Sequence, residues 1–175
     1  MKRLMIFIDN SNIFRGSRHE GIPFDYRKLV TFLSNRAIEQ YDLVRVIMYC
    51  TVDPSQNPGA VQRQKDLYRK FNRFRNFDVK EFELKIVLDH LGNIIEKREK
   101  GVDVALVTDL LLLATRDAYD VAIICGGDGD MVRAIDGVKE MGKQIYVAAF
   151  DGNCADALKR SALDYISLTE NASLI

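Results

Sequence analysis

The sequence has few of the cysteine and histidine residues that stabilise folds through disulfide bonds or bound zinc. Its 175 residues include three cysteines, two histidines and no tryptophan. Cys50, Cys125 and Cys154 lie far apart and form no Cys-x-x-Cys pair, which excludes a disulfide framework and a tetrahedral zinc site. Cys125 lies in an apolar run and is expected to be buried. A reducing, cytoplasmic setting is the expected location.

Long apolar runs and an excess of either charge are also absent. The run Leu4 to Ile8 is too short for a signal peptide or a membrane span. Lys plus Arg and Asp plus Glu both number 25, so the chain is not a globally basic nucleic-acid binder. Three prolines and 47% hydrophobic residues exclude a disordered or fibrous chain. The length predicts a single domain over residues 1–175.

The zero net charge conceals an uneven distribution of charged residues. Residues 1–58 carry 8 bases and 6 acids, residues 59–100 carry 11 and 7, and residues 101–175 carry 6 and 12. The three net charges, +2, +4 and −6, sum to zero. This pattern indicates either ordinary solvated faces or an acidic pocket beside a basic surface.

Apolar runs alternate with segments of helical spacing. Strands are predicted at 4–8, 43–49, 121–125, 144–150 and 165–168, and helices at 25–38, 60–75, 102–114, 130–141 and 155–160. This order predicts an α/β fold, a Rossmann-like three-layer sandwich with a mainly parallel central sheet. Alternation over Val79–Val87 and Ile94–Glu99, around the turn at Gly92, predicts an antiparallel hairpin near 79–99. We name this hairpin as the candidate homodimer surface.

Acidic residues follow two of the buried strands directly. The first strand runs into Asp9 and Asn12, and the strand ending at Cys125 runs into Asp128 and Asp130. The carboxyl ends of parallel strands meet at one edge of a sheet, where open α/β folds bind their ligands. Asp9 and Asp128 are therefore expected to face each other across a few ångströms.

A third acid, Asp103, lies in the first turn of the predicted apolar helix. Asp109 follows six positions later, roughly 240° around the helix, and is at best a flanking residue. Crowded carboxylates repel one another unless a cation lies among them. Carboxylate ligands without His or Cys favour Mg²⁺ or Mn²⁺ over zinc.

Each of these residues also has a purely structural interpretation. Asp9 is suited to cap a helix beginning at Asn10, and Asp128 with Asp130 to form a turn and a cap. Asp103 is suited to complement a helix dipole, and Asn12 to form a local turn. The joint occurrence of the acids at strand ends favours the metal pocket.

Three motifs in this order resemble those of NYN domains, in the LabA-like group with a PIN-like nuclease fold. The opening motif runs from Phe7 to Asn12, and the helix motif from Lys100 to Leu106, followed by Asp109. The Gly-rich loop runs from Gly126 to Asp130 and resembles the family's Ser-Gly-Asp-x-Asp-Phe loop. Gly126 stands where the family has Ser, and Met131 where it has Phe. The match covers nearly the whole chain.

The resemblance implies a PIN-like fold and metal-dependent hydrolysis of RNA phosphodiester bonds. Our hypothesis for the reaction is in-line attack by a metal-bound water, which would leave a 5′-phosphate and a 3′-hydroxyl. It places Mg²⁺ or Mn²⁺ on Asp9, Asp103, Asp128 and Asp130. Asn12 would orient Asp9 or a phosphate, and Lys100 would lie near the scissile phosphate. Because LabA-like relatives include proteins regarded as regulators, a non-catalytic regulatory or RNA-binding module with a degenerate metal pocket is the alternative.

RNA as a partner requires a basic approach to the acidic pocket. The predicted helix 60–75 carries six bases against Asp66 alone, and Tyr68 lies at the edge of its apolar stripe, suited to stack on a base. Two arginines just after the first acid add phosphate contacts. The expected RNA-contacting residues are Arg15, Arg18, Arg63, Tyr68, Arg69, Lys70 and Arg73.

Three other site types fit less well. A metal-dependent adhesion motif needs Ser where Ile13 stands, and an aspartyl phosphatase needs a carboxylate where Ser11 stands. A Walker-type phosphate loop needs Gly-Lys-Ser/Thr, which the chain lacks.

Overall fold

Strands and helices alternate along the chain as its apolar pattern predicts. The computed structural model describes residues 1–35 and 41–175. Its strands are β1 (Lys2–Asp9), β2 (Tyr41–Val52), β3 (Phe77–Glu83), β4 (Lys85–Leu88), β5 (Ile94–Arg98), β6 (Val121–Cys125), β7 (Gln144–Ala149) and β8 (Asp164–Ser167). Its helices are α1 (Asn10–Glu20), α2 (Tyr26–Asn35), α3 (Pro58–Phe71), α4 (Val102–Thr115), α5 (Val132–Glu140) and α6 (Asp156–Ser161).

Six strands form one parallel sheet in the order β3-β2-β1-β6-β7-β8. From β1 the chain continues to β2 on one side, and it returns to β6 on the other. The carboxyl ends of β1 and β6 therefore border the crevice where the strand order reverses, which is the usual ligand site of such sheets. In the register of these two strands Ile8 is opposite Cys125. Asp9 and Gly126 therefore leave the sheet side by side.

The central strand β1 is buried on both faces. Leu4, Ile6 and Ile8 belong to one core, and Met5 and Phe7 to the other, as alternating side chains of a strand require. Burial on both faces explains the continuous apolar run, which is typical of parallel sheets.

Helices cover both faces of the sheet, which confirms the predicted three-layer sandwich. Ile13 of α1 and Leu29 of α2 pack in one core, and Leu106 of α4 and Leu158 of α6 pack in the other. Cys125 is fully buried, as expected. In the described residues no helix is both long enough and apolar enough to cross a membrane.

The predicted hairpin exists, but its bounds are wrong. The predicted first strand, Val79–Val87, is divided in the structure, because its residues up to Glu83 belong to β3, which pairs in parallel with β2 at the edge of the large sheet. The hairpin is β4 with β5, a separate two-stranded antiparallel sheet. The alternating pattern is the same for an edge strand and for a hairpin strand, so the sequence could not identify the partner. Self-association through this hairpin stays a prediction.

The start of one helix confirms its predicted cap, and the bounds of another differ from the prediction. Helix α2 begins at Tyr26 with Asp25 as its cap, since Asp25 Oδ1 accepts from the backbone N–H groups of Arg27 and Lys28 at 2.8 and 3.1 Å. The predicted end, 36–38, lies outside the described residues. Helix α3 starts at Pro58, the favoured residue of a first turn, and ends at Phe71 rather than at 75.

Candidate functional site

Asp9 is a buried carboxylate at the end of β1. Its Oδ1 accepts from the backbone N–H of Asn12 at 3.0 Å and so caps α1, and the residue is 3% exposed. Burial raises the pKa of Asp9 to about 6, and the nearby charges of Glu99 and Asp103 add to the rise. The Asn12 N–H and the Arg15 guanidinium oppose it. Asp9 thus lies among other acids in a poorly solvated position.

The side-chain oxygen of Asn12 fixes the glycine loop and makes no hydrogen bond with Asp9, and the expected contact of Asn12 with a phosphate stays a prediction. Its Oδ1 accepts from the backbone N–H of Gly127 at 2.9 Å and from Asn153 Nδ2 at 3.0 Å. A Cβ at Gly127 would lie 1.8 Å from the carbonyl oxygen of Asn153. Only glycine allows this approach, so the loop after β6 is pinned between α1 and the segment after β7.

Asp128 and Asp130 follow the pinned loop. Asp128 Oδ1 accepts from the backbone N–H of Asp130 at 2.9 Å and caps the 3₁₀ turn Gly129–Met131. Asp128 is half-buried and Asp130 is exposed. The turn and cap of the structural interpretation are therefore present, and they hold Asp128 at the same edge as Asp9.

Asp103 lies in the first turn of α4. This helix begins directly after Gly101, whose φ is positive at 88°. Burial raises its pKa, and the charges of Asp128, Glu99 and Asp130 raise it further. Mutual repulsion of this kind requires proximity. The direction of this pKa shift is the one expected for neighbouring acids, and the meeting of Asp103 with Asp128 in one site stays a prediction.

The structural roles leave carboxylate oxygens available. Capping uses one oxygen of Asp9 and one of Asp128. Within residues 1–35 and 41–175, Oδ2 of each makes no hydrogen bond, and Asp103 makes none with either oxygen. The structural and the ligand-binding interpretations of these acids are thus compatible.

The donor chemistry suits a hard divalent cation, but the carboxylates do not form a closed cage. All the acids offer only oxygen. Burial is the main cause of the raised pKa of Asp9 and Asp103, and a cation nearby would offset both the burial of these charges and the repulsion that adds to it. Across the described part of the chain, no three His, Cys, Asp or Glu side chains stand together as a group able to hold a metal ion. The predicted metal ligands stay a prediction.

Glu99 also lies near these acids and is not among the residues predicted from the sequence. It follows β5, and one carboxylate oxygen accepts from the hydroxyls of Ser11 and Thr51, the latter at 3.1 Å. Its other oxygen lies 3.7 Å from Nη2 of Arg15. The signal available was its place four residues before Asp103, which the strand assignment to 94–99 obscured.

Comparison with known proteins identifies the family to which this α/β fold belongs. The sequence model of the NYN domain family matches residues 3–169 of this chain. The chain belongs to the NYN domain family. Low amplitude and bright protein LabA of Synechococcus elongatus is 28% identical over 174 residues, which cover 99% of this chain and 87% of that protein.

A solved structure shares the fold of this NYN domain. It is the crystal structure of a protein of unknown function from Vibrio parahaemolyticus, with a TM-score of 0.67 and 17% identity. The match covers 95% of this chain and 93% of that one. This similarity confirms the α/β fold.

Gly126 is the departure of this NYN domain that lies closest to the acids. A Cβ at this position would lie 3.3 Å from Cε of Met131 and 3.4 Å from Cβ of Asp9. Because the methionine end is flexible, a serine would fit after a small shift. Its hydroxyl would then lie beside Asp9, so glycine here removes a polar neighbour from that carboxylate.

The expected RNA-contacting residues of this NYN domain lie in two places. Arg15 and Arg18 are exposed on α1. This helix lies across the carboxyl edge of the sheet, because Glu20 at the end of α1 accepts through Oε1 from the backbone N–H of Gly152, after β7, at 2.8 Å. The bases near α3 are also exposed, but Arg69 pairs with Asp66 at 3.1 Å. They are Arg63, Arg69, Lys70 and Arg73.

Tyr68 and Lys100 differ sharply in exposure. Tyr68 is 5% exposed, packs in the core and donates its hydroxyl to the carbonyl of Thr51 at 3.0 Å. Its ring is not available to stack on a base, so the prediction for this residue is wrong. Lys100 is exposed beside the first turn of α4 and has no hydrogen bond or ion pair with the described residues.

Asp109 is separate from the acidic site. It accepts from the Tyr49 hydroxyl and from Lys80 Nζ, both at 2.6 Å. These contacts tie α4 to β2 and β3, so Asp109 has the flanking position that its spacing predicted.

Proposed function

We propose that this NYN domain is a metal-dependent ribonuclease that hydrolyses RNA phosphodiester bonds at the carboxyl edge of its sheet. The observation that carries the proposal is the position of Asp9 at the end of β1 and of Asp128 in the loop after β6, where the strand order reverses; each keeps one carboxylate oxygen that accepts no hydrogen bond from the described residues. Membership of the NYN family supports the same conclusion.

Asp9, Asp103 and Asp128 would hold Mg²⁺ or Mn²⁺, with Asp130 at the exposed margin. A bound cation of this kind supplies an activated water and stabilises charge on phosphoryl oxygens. The chain itself orients the acids through the caps of Asp9 and Asp128. Lys100 and Arg15, both exposed, would bind phosphate oxygens of the RNA.

Cleavage of a single-stranded RNA in Mn²⁺ tests this proposal. Asp128→Asn keeps the cap, because the asparagine oxygen accepts the same N–H, but it removes a charge. Loss of one such carboxylate should lower the cleavage rate at least about 100-fold. Asp42→Asn, an exposed acid at the opposite end of β2, is the matched control and should cleave like wild type. Equal cleavage by wild type and Asp128→Asn would mean that a contaminant cuts the RNA.

The second candidate function is a non-catalytic RNA-binding or regulatory module. The lack of a closed carboxylate group among the described residues and the glycine at 126 favour it. Calorimetric titration with Mn²⁺ separates the two functions. Heat of binding that disappears in Asp103→Asn supports the ribonuclease, and no heat at millimolar metal supports the module.

A further inference from the structure

Glu99 is held by a set of donors that would equally suit a phosphate. The hydroxyls of Ser11 and Thr51 donate to Oε1, and the Arg15 guanidinium faces Oε2 at 3.7 Å. The donors come from two elements, because Ser11 and Arg15 lie on α1 and Thr51 lies on β2, whereas Glu99 itself follows β5. Two hydroxyls and a guanidinium around an anion are typical phosphate contacts.

Arg15 is oriented toward the acidic site. Its Nε donates to the carbonyl of Ser11 at 3.2 Å, so the guanidinium is fixed to the first turn of α1. Its charge acts on both Asp9 and Asp103. The side chain is 67% exposed, and in the described residues Glu99 is its one ion-pair partner. Arg15 is therefore accessible to RNA, but its charge is already opposed.

We propose that Glu99 occupies the position of an RNA phosphate at Arg15 in the free protein. The inference rests on the proposed function, since it concerns how RNA reaches that site. When RNA binds, one of its phosphates replaces the Glu99 carboxylate at Arg15. The hydroxyls of Ser11 and Thr51 then still hold Glu99. Glu99 thus weakens RNA binding.

The effect is modest because the pair is solvent-exposed. Exposed ion pairs contribute little, so removing the competitor should tighten RNA binding about two- to fivefold. The salt dependence should change as well. In wild type the Arg15–phosphate contact forms only when the Arg15–Glu99 ion pair breaks, so it releases no additional counterion. Without Glu99 the same contact releases one counterion, which steepens the plot of log binding constant against log salt by about 0.7 for single strands.

Fluorescence anisotropy with a labelled single-stranded oligoribonucleotide tests the exchange. Measurement in EDTA prevents cleavage, and a salt series gives the slope. Glu99→Gln keeps an acceptor for both hydroxyls and removes only the charge. Arg15→Gln and the double variant complete a mutant cycle. Asp78→Asn is the control, because it frees Arg45 from a pair at 2.5 Å near the amino end of β2.

The expected result is tighter binding and a steeper slope for Glu99→Gln, with no gain when Arg15→Gln is also present. The inference is overturned if Glu99→Gln binds like Asp78→Asn or more weakly, or if the gain survives in the double variant. Those outcomes leave the proposed function standing. If wild type neither binds nor cleaves RNA, the proposed function itself fails, and the inference fails with it.

Discussion

At the residue scale, Asp9 combines a capping role with an unfavourable charge. One oxygen satisfies the Asn12 N–H, yet the residue is almost inaccessible to water and faces other acids. The pKa of Asp9 is about 6 in the folded protein and has its ordinary value near 4 in the unfolded chain. Between pH 4 and pH 6, Asp9 therefore binds more protons in the folded state than in the unfolded state. Stability contributed by Asp9 therefore falls as pH rises from 4 to 6 and stays low above 6.

Asp9→Asn should abolish this pH dependence. Asparagine is an equally good cap, so the change removes mainly the buried charge. From pH 4 to pH 8 the free energy of unfolding of Asp9→Asn should improve relative to wild type by about 3 kcal/mol, the equivalent of two pKa units. Urea unfolding at several pH values without divalent metal measures this difference. Parallel pH curves for the two proteins would contradict it.

Gly127 is the residue whose missing side chain matters most for the site. A methyl group there would collide with backbone of the segment after β7. Gly127→Ala should lower the free energy of unfolding by about 3 kcal/mol, the upper range for overpacking. Gly137→Ala, within α5 and with only an ordinary contact to Leu111, should instead raise it by about 0.5–1 kcal/mol. Equal effects in urea unfolding would refute the steric argument.

At the element scale, the β4–β5 hairpin needs anchors because a two-stranded sheet is marginal alone. One anchor is Glu99, and the other is Asp53, which accepts from Lys97 Nζ at 2.7 Å and from Ser55 Oγ at 2.6 Å. Burial tends to raise the pKa of Asp53, but Lys97 and Ser55 outweigh it and lower the pKa to about 2. Glu99 binds hydroxyls of α1 and β2, and Asp53 binds Lys97 of β5, so the two anchors fix the hairpin just before the chain enters α4.

Lys97→Met should loosen the hairpin without unfolding the sheet. Since Lys97 is partly exposed, the expected loss of stability is only about 1 kcal/mol, mainly from the carboxylate left unpaired. Hydrogen exchange should quicken at amides of β4 and β5 and stay unchanged in β1. Lys85→Met, an exposed residue of the same hairpin, is the control and should change neither. Uniform acceleration across both sheets would contradict local anchoring.

At the scale of the whole molecule, the direction of α3 decides which bases can act at the site. The helix joins two parallel strands, so it runs from the carboxyl edge back to the amino edge of the sheet. Its 14 residues span about 21 Å. Arg63 lies in the half nearer the acids, whereas Arg73 follows the helix end near the start of β3.

Arg63→Gln should therefore weaken RNA binding more than Arg73→Gln. We expect the logarithmic salt slope to fall by about 0.7 for the first variant, the value for one lost phosphate contact, and to change little for the second. Anisotropy titrations at several salt concentrations measure both. Equal losses would mean that RNA follows the whole length of α3.

Much of the candidate site was predictable because its signals are local. Asp9 and Asp128 stand directly after apolar runs, and the apolar runs themselves define parallel strands. Three features were not predictable: the contacts of Glu99, the burial of Tyr68 and the hydrogen bonds of the Asn12 side chain. Each depends on a partner distant in sequence, such as Thr51 for Glu99 and Tyr68 or Gly127 for Asn12.

The sequence by itself determined the alternation of strands and helices, because hydrophobic period and capping residues act over a few positions. It also determined which acids end strands. Only the tertiary structure decided that Phe77–Glu83 joins the large sheet, that Glu99 pairs with Arg15, and that Tyr68 faces inward. Those outcomes depend on strand order and on how helices pack across the sheet, and a local pattern contains no information about either.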